Sequence, residues 1–211
     1  MAAGVPTVTR RRAAARHPRG WYEGPIVSEW TAETAEWYAA HYGEYATNRL
    51  AVGAIEVAPD AVVVDVGCGT GSALRRLAPR VPDGRLVGVD PVPRMLAIAR
   101  ERAAADPNGH RIEFAAAQAE RLPLADDAAD VVLAFDSIDH WGDRDAGLRE
   151  VVRVLRPDGR LVVVKDGGLP GGARAARALR SALEQAGLVV HETTVLSEGD
   201  VVCSLWICGA A

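Results

Sequence analysis

The run Val62-Val63-Val64-Asp65-Val66-Gly67-Cys68-Gly69-Thr70-Gly71 carries an apolar stretch straight into a glycine-rich turn. Glycines at 67, 69 and 71 admit positive φ angles and let a ligand come against bare backbone. Asp65 stands two residues before the first of them. A carboxylate there repels a dinucleotide pyrophosphate and attracts a ligand bearing an ammonium group. Asp90 closes a second apolar run, Leu86-Val87-Gly88-Val89-Asp90, nineteen residues after Gly71. An acid in that place can accept both hydroxyls of a ribose. Together the two acids describe a nucleoside with a positively charged amino-acid tail.

Such groups must be held at the ends of strands. Short apolar runs fall at residues 61–66, 85–90, 111–116, 130–136 and 160–165, rich in Val, Ile and Leu. They are too short for helices and suit strands covered on both faces. Helical spacing of apolar residues fills 72–80, 93–105, 144–155 and 172–186, with Pro93 at a first helical position and Gly187 as a stop. Pro-Asp-Gly turns at 82–84 and 157–159 lead back into strands. Two further runs, 189–196 and 201–208, are separated only by Ser197-Glu198-Gly199-Asp200. That link is too short for a parallel crossover, so an antiparallel hairpin is expected. The fold class is therefore α/β: a doubly wound, Rossmann-like sheet of five parallel strands closed by a C-terminal antiparallel hairpin, seven strands in all. Residues 29–57 read as a helical cap ahead of it. Trp30, Thr34, Trp37, His41 and Tyr45 recur there at steps of three and four, with Tyr38 and Tyr42 one position round. These aromatics either pack on the sheet's helices or close as a lid over a pocket.

Composition narrows the function classes. The 211 residues are 49% apolar and 25% charged, ordinary globular proportions, and the net charge of −4 calls for no nucleic acid. No apolar run approaches the roughly 20 residues of a membrane helix. Cys68, Cys203 and Cys208 form no disulfide framework, which fits a reducing, cytoplasmic setting. Lys165 is the only lysine among 24 Lys and Arg residues, a bias that reads as codon usage in a GC-rich genome. Residues 1–28 are expected to be a basic, solvated tail, with Arg10, Arg11, Arg12, Arg16 and Arg19 preceding the first acid, Glu23. The chain thus divides into that tail, the cap at 29–57 and a ligand-binding domain at 58–211. Self-association into a homodimer stays open.

The glycine-rich run resembles motif I of the class I S-adenosylmethionine (SAM)-dependent methyltransferases, and the likeness extends over about residues 61–165. Asp90-Pro91-Val92-Pro93-Arg94-Met95-Leu96 is similar to the family's second motif. Ala117-Gln118-Ala119-Glu120-Arg121-Leu122-Pro123-Leu124 resembles the GDAExLPF segment of the subgroup that holds the ubiquinone- and menaquinone-biosynthesis enzymes. Leu155-Arg156-Pro157-Asp158-Gly159-Arg160-Leu161 resembles its LKPGGxL turn. The resemblance implies SAM as methyl donor and a small-molecule acceptor. It implies that Asp65 and the backbone of Gly67, Cys68, Gly69 and Gly71 hold the methionine end, and that Asp90 takes the ribose. Pro91 and Met95 would then pack near the adenine, with Gln118 and Ala119 along its edge and Asp136 facing the methionine portion. Gln118 stands where the family has an acid, so a bond to the adenine amino group would lack the strength that charge gives. For Met95 a core-filling role is an equal reading.

Phe135-Asp136-Ser137-Ile138-Asp139-His140-Trp141 resembles the subgroup's S-x-x-H-H-W stretch, with Asp139 replacing the first histidine. An oxygen or nitrogen acceptor must lose a proton, for which a histidine suits. His140 is the candidate base, with Asp139 to orient it; the alternative is that His140 and Trp141 only shape a helix start. No His, Cys, Asp or Glu set has metal-ligand spacing. Two other classes stay open: a SAM-binding protein without transfer, and a nicotinamide-linked oxidoreductase. The latter expects Gly-x-Gly-x-x-Gly, whereas position 72 is Ser and the third glycine falls at 71.

Overall fold

A computed structural model describes residues 30–167 and 172–210; the basic tail expected at 1–28 lies outside them. Seven strands form one sheet in the order β3-β2-β1-β4-β5-β7-β6. They are β1 (Val62–Val66), β2 (Arg85–Val89), β3 (Ile112–Ala115), β4 (Ala129–Phe135), β5 (Leu155–Asp166), β6 (Leu188–Glu198) and β7 (Val201–Ala210). Strands β1 to β5 run parallel, and β7 inserts antiparallel between β5 and β6. This is the topology expected from the spacing. The chain reverses direction across the sheet between β1 and β4, so the crevice beyond their C-terminal ends is where such sheets bind ligands.

Burial on both faces explains the apolar strands. Val63, Leu133, Val162 and Leu205 face one core layer, with Leu74 and Leu77 from α3 (Ser72–Leu77). Val64, Val132, Val163 and Trp206 face the other, under α5 (Arg144–Val154) and α6 (Gly172–Gln185). Asp143 caps α5 through a side-chain bond from the Ala146 N–H, and Pro93 opens α4 (Pro93–Ala104).

Two local expectations are revised. The strand expected from residue 160 begins at Leu155: Ala129 pairs with Leu155 and Val131 with Arg160, so the Pro-Asp-Gly turn forms an irregular excursion within β5. The N-terminal segment is two helices, α1 (Ala32–His41) and α2 (Ala46–Ala54). Thr31 caps α1, and the break falls at Tyr42-Gly43-Glu44-Tyr45. Aromatic periodicity runs through that break, which is why the sequence read as continuous. What ends the helix comes from elsewhere in the chain. The Thr70 hydroxyl donates to the Gly43 carbonyl at 2.6 Å, and a Cβ at Gly43 would lie 2.5 Å from the Ala39 carbonyl oxygen.

Candidate active site

The turn after β1 is held by backbone bonds. The N–H groups of Gly67 and Cys68 both donate to the Val89 carbonyl, at 2.8 and 3.0 Å, and that of Gly71 to the Cys68 carbonyl at 2.8 Å. The Gly69 N–H donates to Asp90 Oδ2 at 2.9 Å. Glycines 67, 69 and 71 all have positive φ, from 50° to 75°. Gly67 also has no room, since a Cβ there would stand 2.5 Å from Ser137 Cβ. At Gly69 a Cβ would meet nothing within 4 Å, so the space beside the turn is open.

This bonding decides what the turn can offer. A pyrophosphate needs N–H donors, and the N–H groups of residues 67, 68, 69 and 71 are already engaged. What remains for a ligand is carbonyl oxygen and bare surface, which suits an ammonium. Beneath it sits Asp65, 2% exposed, with Oδ1 buried and without a hydrogen-bond partner. Burial first, and the nearby Asp90 second, push its carboxyl up to about 7. A buried carboxylate lacking a counter-charge is costly, and a bound cation would relieve it.

Asp90 is 6% exposed and accepts one N–H on each oxygen, from Gly69 and from Val92. Burial raises its pKa, and the two backbone bonds oppose that rise. Each carboxylate oxygen can accept a second donor, so both retain capacity for ribose hydroxyls. Pro91 is exposed beside it, and Met95 is 2% exposed, as a core side chain would be. Gln118 is exposed and Ala119 buried on the stretch after β3. Asp65, the turn and Asp90 thus fit the SAM inferred from sequence.

The acceptor side forms at the ends of β4 and β5. Asp136 takes a left-handed φ of 51°, unusual for a residue with a side chain, and its Oδ1 accepts the Asp166 N–H at 2.6 Å. Burial pushes its carboxyl up to about 6. The Ser137 hydroxyl donates to the Val66 carbonyl at 2.6 Å, tying this turn to β1. Ile138, 1% exposed, plugs the following turn into the core. That leaves Asp139 and His140 on its outer side, both exposed. Asp139 forms an ion pair with Lys165, a partner that the sequence reading did not name. Desolvation first, and Lys165 second, lower the His140 pKa, while Asp139 opposes them. Trp141 goes the other way, against α5, where a Cβ at Gly147 would lie 2.5 Å from its ring.

The aromatic segment borders this side. Ring contacts run from His140 to Trp30 (6.1 Å between centroids), Trp30 to Tyr38 (5.3 Å), Tyr38 to Tyr42 (5.4 Å) and Tyr42 to Tyr45 (5.9 Å). The Tyr45 hydroxyl is pushed up to about 12, first by burial and then by Asp166, with which it hydrogen-bonds. His41 stacks locally on Trp37 and bonds its carbonyl. Sequence reasoning missed Lys165, Asp166 and Tyr45 as neighbours. Its one available signal was a lone lysine in an arginine-rich chain.

Residues 64–163 match the family described as a methyltransferase domain. Over those residues the chain is similar to the class I SAM-dependent methyltransferases that its motifs resemble. The chain is 35% identical over 119 residues to the ubiquinone/menaquinone biosynthesis C-methyltransferase UbiE of Geotalea daltonii, covering 56% of this chain and 51% of that protein. It is 40% identical over 120 residues to a demethylmenaquinone methyltransferase of Thermus thermophilus, covering 57% and 53%. It is 38% identical over 124 residues to the methyltransferase GfsG of Streptomyces halstedii, covering 59% and 44%. The chain therefore spans about half the length of the curated relatives it matches. In fold it is similar to a SAM-dependent methyltransferase of Aquifex aeolicus (TM-score 0.67, 18% identity, 85% of this chain and 99% of that one). No helix among the described residues is long and apolar enough to cross a membrane.

Proposed function

We propose that the chain moves the methyl group of SAM to an oxygen, nitrogen or carbon atom of a small-molecule metabolite. One observation carries this reading: a buried, unpartnered carboxylate, Asp65, lies under a turn in which the N–H groups of residues 67, 68, 69 and 71 are already engaged. That arrangement favours an ammonium and disfavours the phosphates of a nicotinamide dinucleotide. When bound, SAM supplies an electrophilic methyl on a sulfonium whose sulfur leaves as a thioether, so no protein acid is needed. Asp65 and the carbonyls of the turn hold the amine, and Asp90 holds the ribose hydroxyls. Pro91 flanks the adenine with Met95 packed in the core behind it, Gln118 and Ala119 meet its edge, and Asp136 meets the methionine portion. His140, its pKa lowered by burial and by Lys165, takes the proton of an oxygen or nitrogen acceptor as the new bond to the methyl carbon forms. A carbon acceptor activated by its own hydroxyl, of the kind that the quinone-pathway relatives suggest, needs no such base. The rings from Trp30 to Tyr45 border the acceptor and keep water from it. Three free, buried cysteines suit a reducing cytoplasm.

The test is transfer of labelled methyl from SAM to a panel of phenols, amines and quinols, read by mass spectrometry. A methylated product that is lost with Asp90→Ala supports the assignment. SAM retained with no product from any acceptor class overturns it in favour of a binding protein.

A further inference from the structure

Among the described residues Lys165 is the one basic side chain that is buried, at 7% exposure. Every other cation in the chain is an arginine or a histidine. Lys165 is the single exception to that arginine bias. At this place on β5 a compact ammonium differs from a planar fork, because it pairs as a point charge and needs little room. Lys165 stands on the face of β5 that carries Leu161 and Val163, so its stem leaves the core layer under α5 and α6. From there Nζ reaches Asp139 on the turn after β4. The next residue on that turn is His140.

We propose that Lys165 is a positioning residue for the transfer described above: held by Asp139, it fixes the turn that presents His140 and sets a positive charge against protonation of that imidazole. The inference rests on the reading of His140 as proton acceptor. The charged groups that act on His140 are Lys165 from β5 and Asp139 from its own turn, of opposite sign; Trp30, from the segment before α1, adds a neutral ring. Asp139 alone would favour the protonated imidazole. Lys165 pairs with that carboxylate and opposes its field, which favours the neutral imidazole that can accept a proton. Asp136, at the end of β4, lies in the same positive field.

Imidazole titration by NMR of the whole protein tests this without any acceptor, with the His140 signal assigned from its loss in His140→Gln. In the unaltered protein the midpoint is expected below the ordinary 6.5. Lys165→Met should raise it by about half a pH unit or more, a threefold change in the protonated-to-neutral ratio. Lys165→Arg, which keeps the charge, should leave most of the shift in place. Asp139→Asn has the opposite sign and should lower the midpoint. Lys165→Gln, uncharged but polar, takes the place of Lys165→Met if that variant does not fold, and the same rise is expected of it. Coincident midpoints in folded Lys165→Met and the unaltered protein overturn the proposal, as does a rise in Asp139→Asn. Absence of SAM binding to the unaltered protein would instead overturn the functional reading and leave these midpoints readable.

Discussion

The two halves of the crevice are built from different materials. On the β1–β2 side, backbone does most of the work: glycines in left-handed conformations, N–H groups engaged by a neighbouring carbonyl and by Asp90, and one buried carboxylate without a hydrogen-bond partner. On the β4–β5 side the work falls to side chains from distant segments. Asp136 and Asp139 follow β4, Lys165 and Asp166 end β5, and Tyr45 and Trp30 arrive from the helical segment. A backbone-made site binds a constant chemical group, whereas a side-chain site can change with the acceptor. The methyl donor is therefore readable from this chain, and the acceptor is not.

Substitutions should separate the halves, starting with the largest effect. Gly67→Ala forces a Cβ to 2.5 Å from Ser137 at a φ of 75°. It is expected to cost on the order of 3 kcal/mol or more, a drop of about 10 °C in melting temperature. Because Gly67 and Ser137 join the halves, donor and acceptor binding should fail together; loss of one alone would break the division drawn here. Asp90→Ala should weaken SAM binding by about 2–3 kcal/mol in calorimetry and also lower the melting temperature, because the Gly69 and Val92 N–H groups lose their acceptor. Unchanged affinity would remove the ribose assignment. His140→Ala should slow turnover of an oxygen or nitrogen acceptor by roughly 10²-fold or more while SAM affinity stays the same, a split visible in steady-state kinetics. Glu44→Gln should act least. It loosens the contacts of Arg75 and Arg102 that pin the break between α1 and α2. These groups are partly exposed, so a shift of about 1–2 °C that fades in high salt is expected.

The sequence made the donor half legible for a physical reason. Positive φ and close approach restrict residue type, so glycines at 67, 69 and 71 announce a tight turn, and an acid at a strand end announces its charge. The five parallel strands and the closing antiparallel hairpin followed from apolar run length and from one four-residue link, whereas the order in which the strands pair did not. The break at Tyr42–Tyr45 did not show, because it depends on Thr70 and on Arg102, which bonds the Ala39 carbonyl across 63 residues of chain. Asp139 read as the partner of His140 because the two are adjacent. In space its carboxylate meets Lys165, 26 residues away, and the sequence carries no sign of that distance being closed.

Asp65 bears most directly on the central claim. Its carboxyl near 7 lies above the ordinary 3.8, so the folded state holds a proton that the unfolded chain has released. This contributes stability at low pH that is lost as pH rises through about 7. An ammonium ligand reverses the preference by favouring the ionised form. Calorimetry of S-adenosylhomocysteine, the demethylated product, at pH 6 and pH 8 reads this out. The expected result is affinity about tenfold higher at pH 8, with proton release near pH 6 and both effects absent in Asp65→Asn. Equal affinity at the two pH values, or no heat at either, would contradict the pairing of this carboxylate with the ligand's amine.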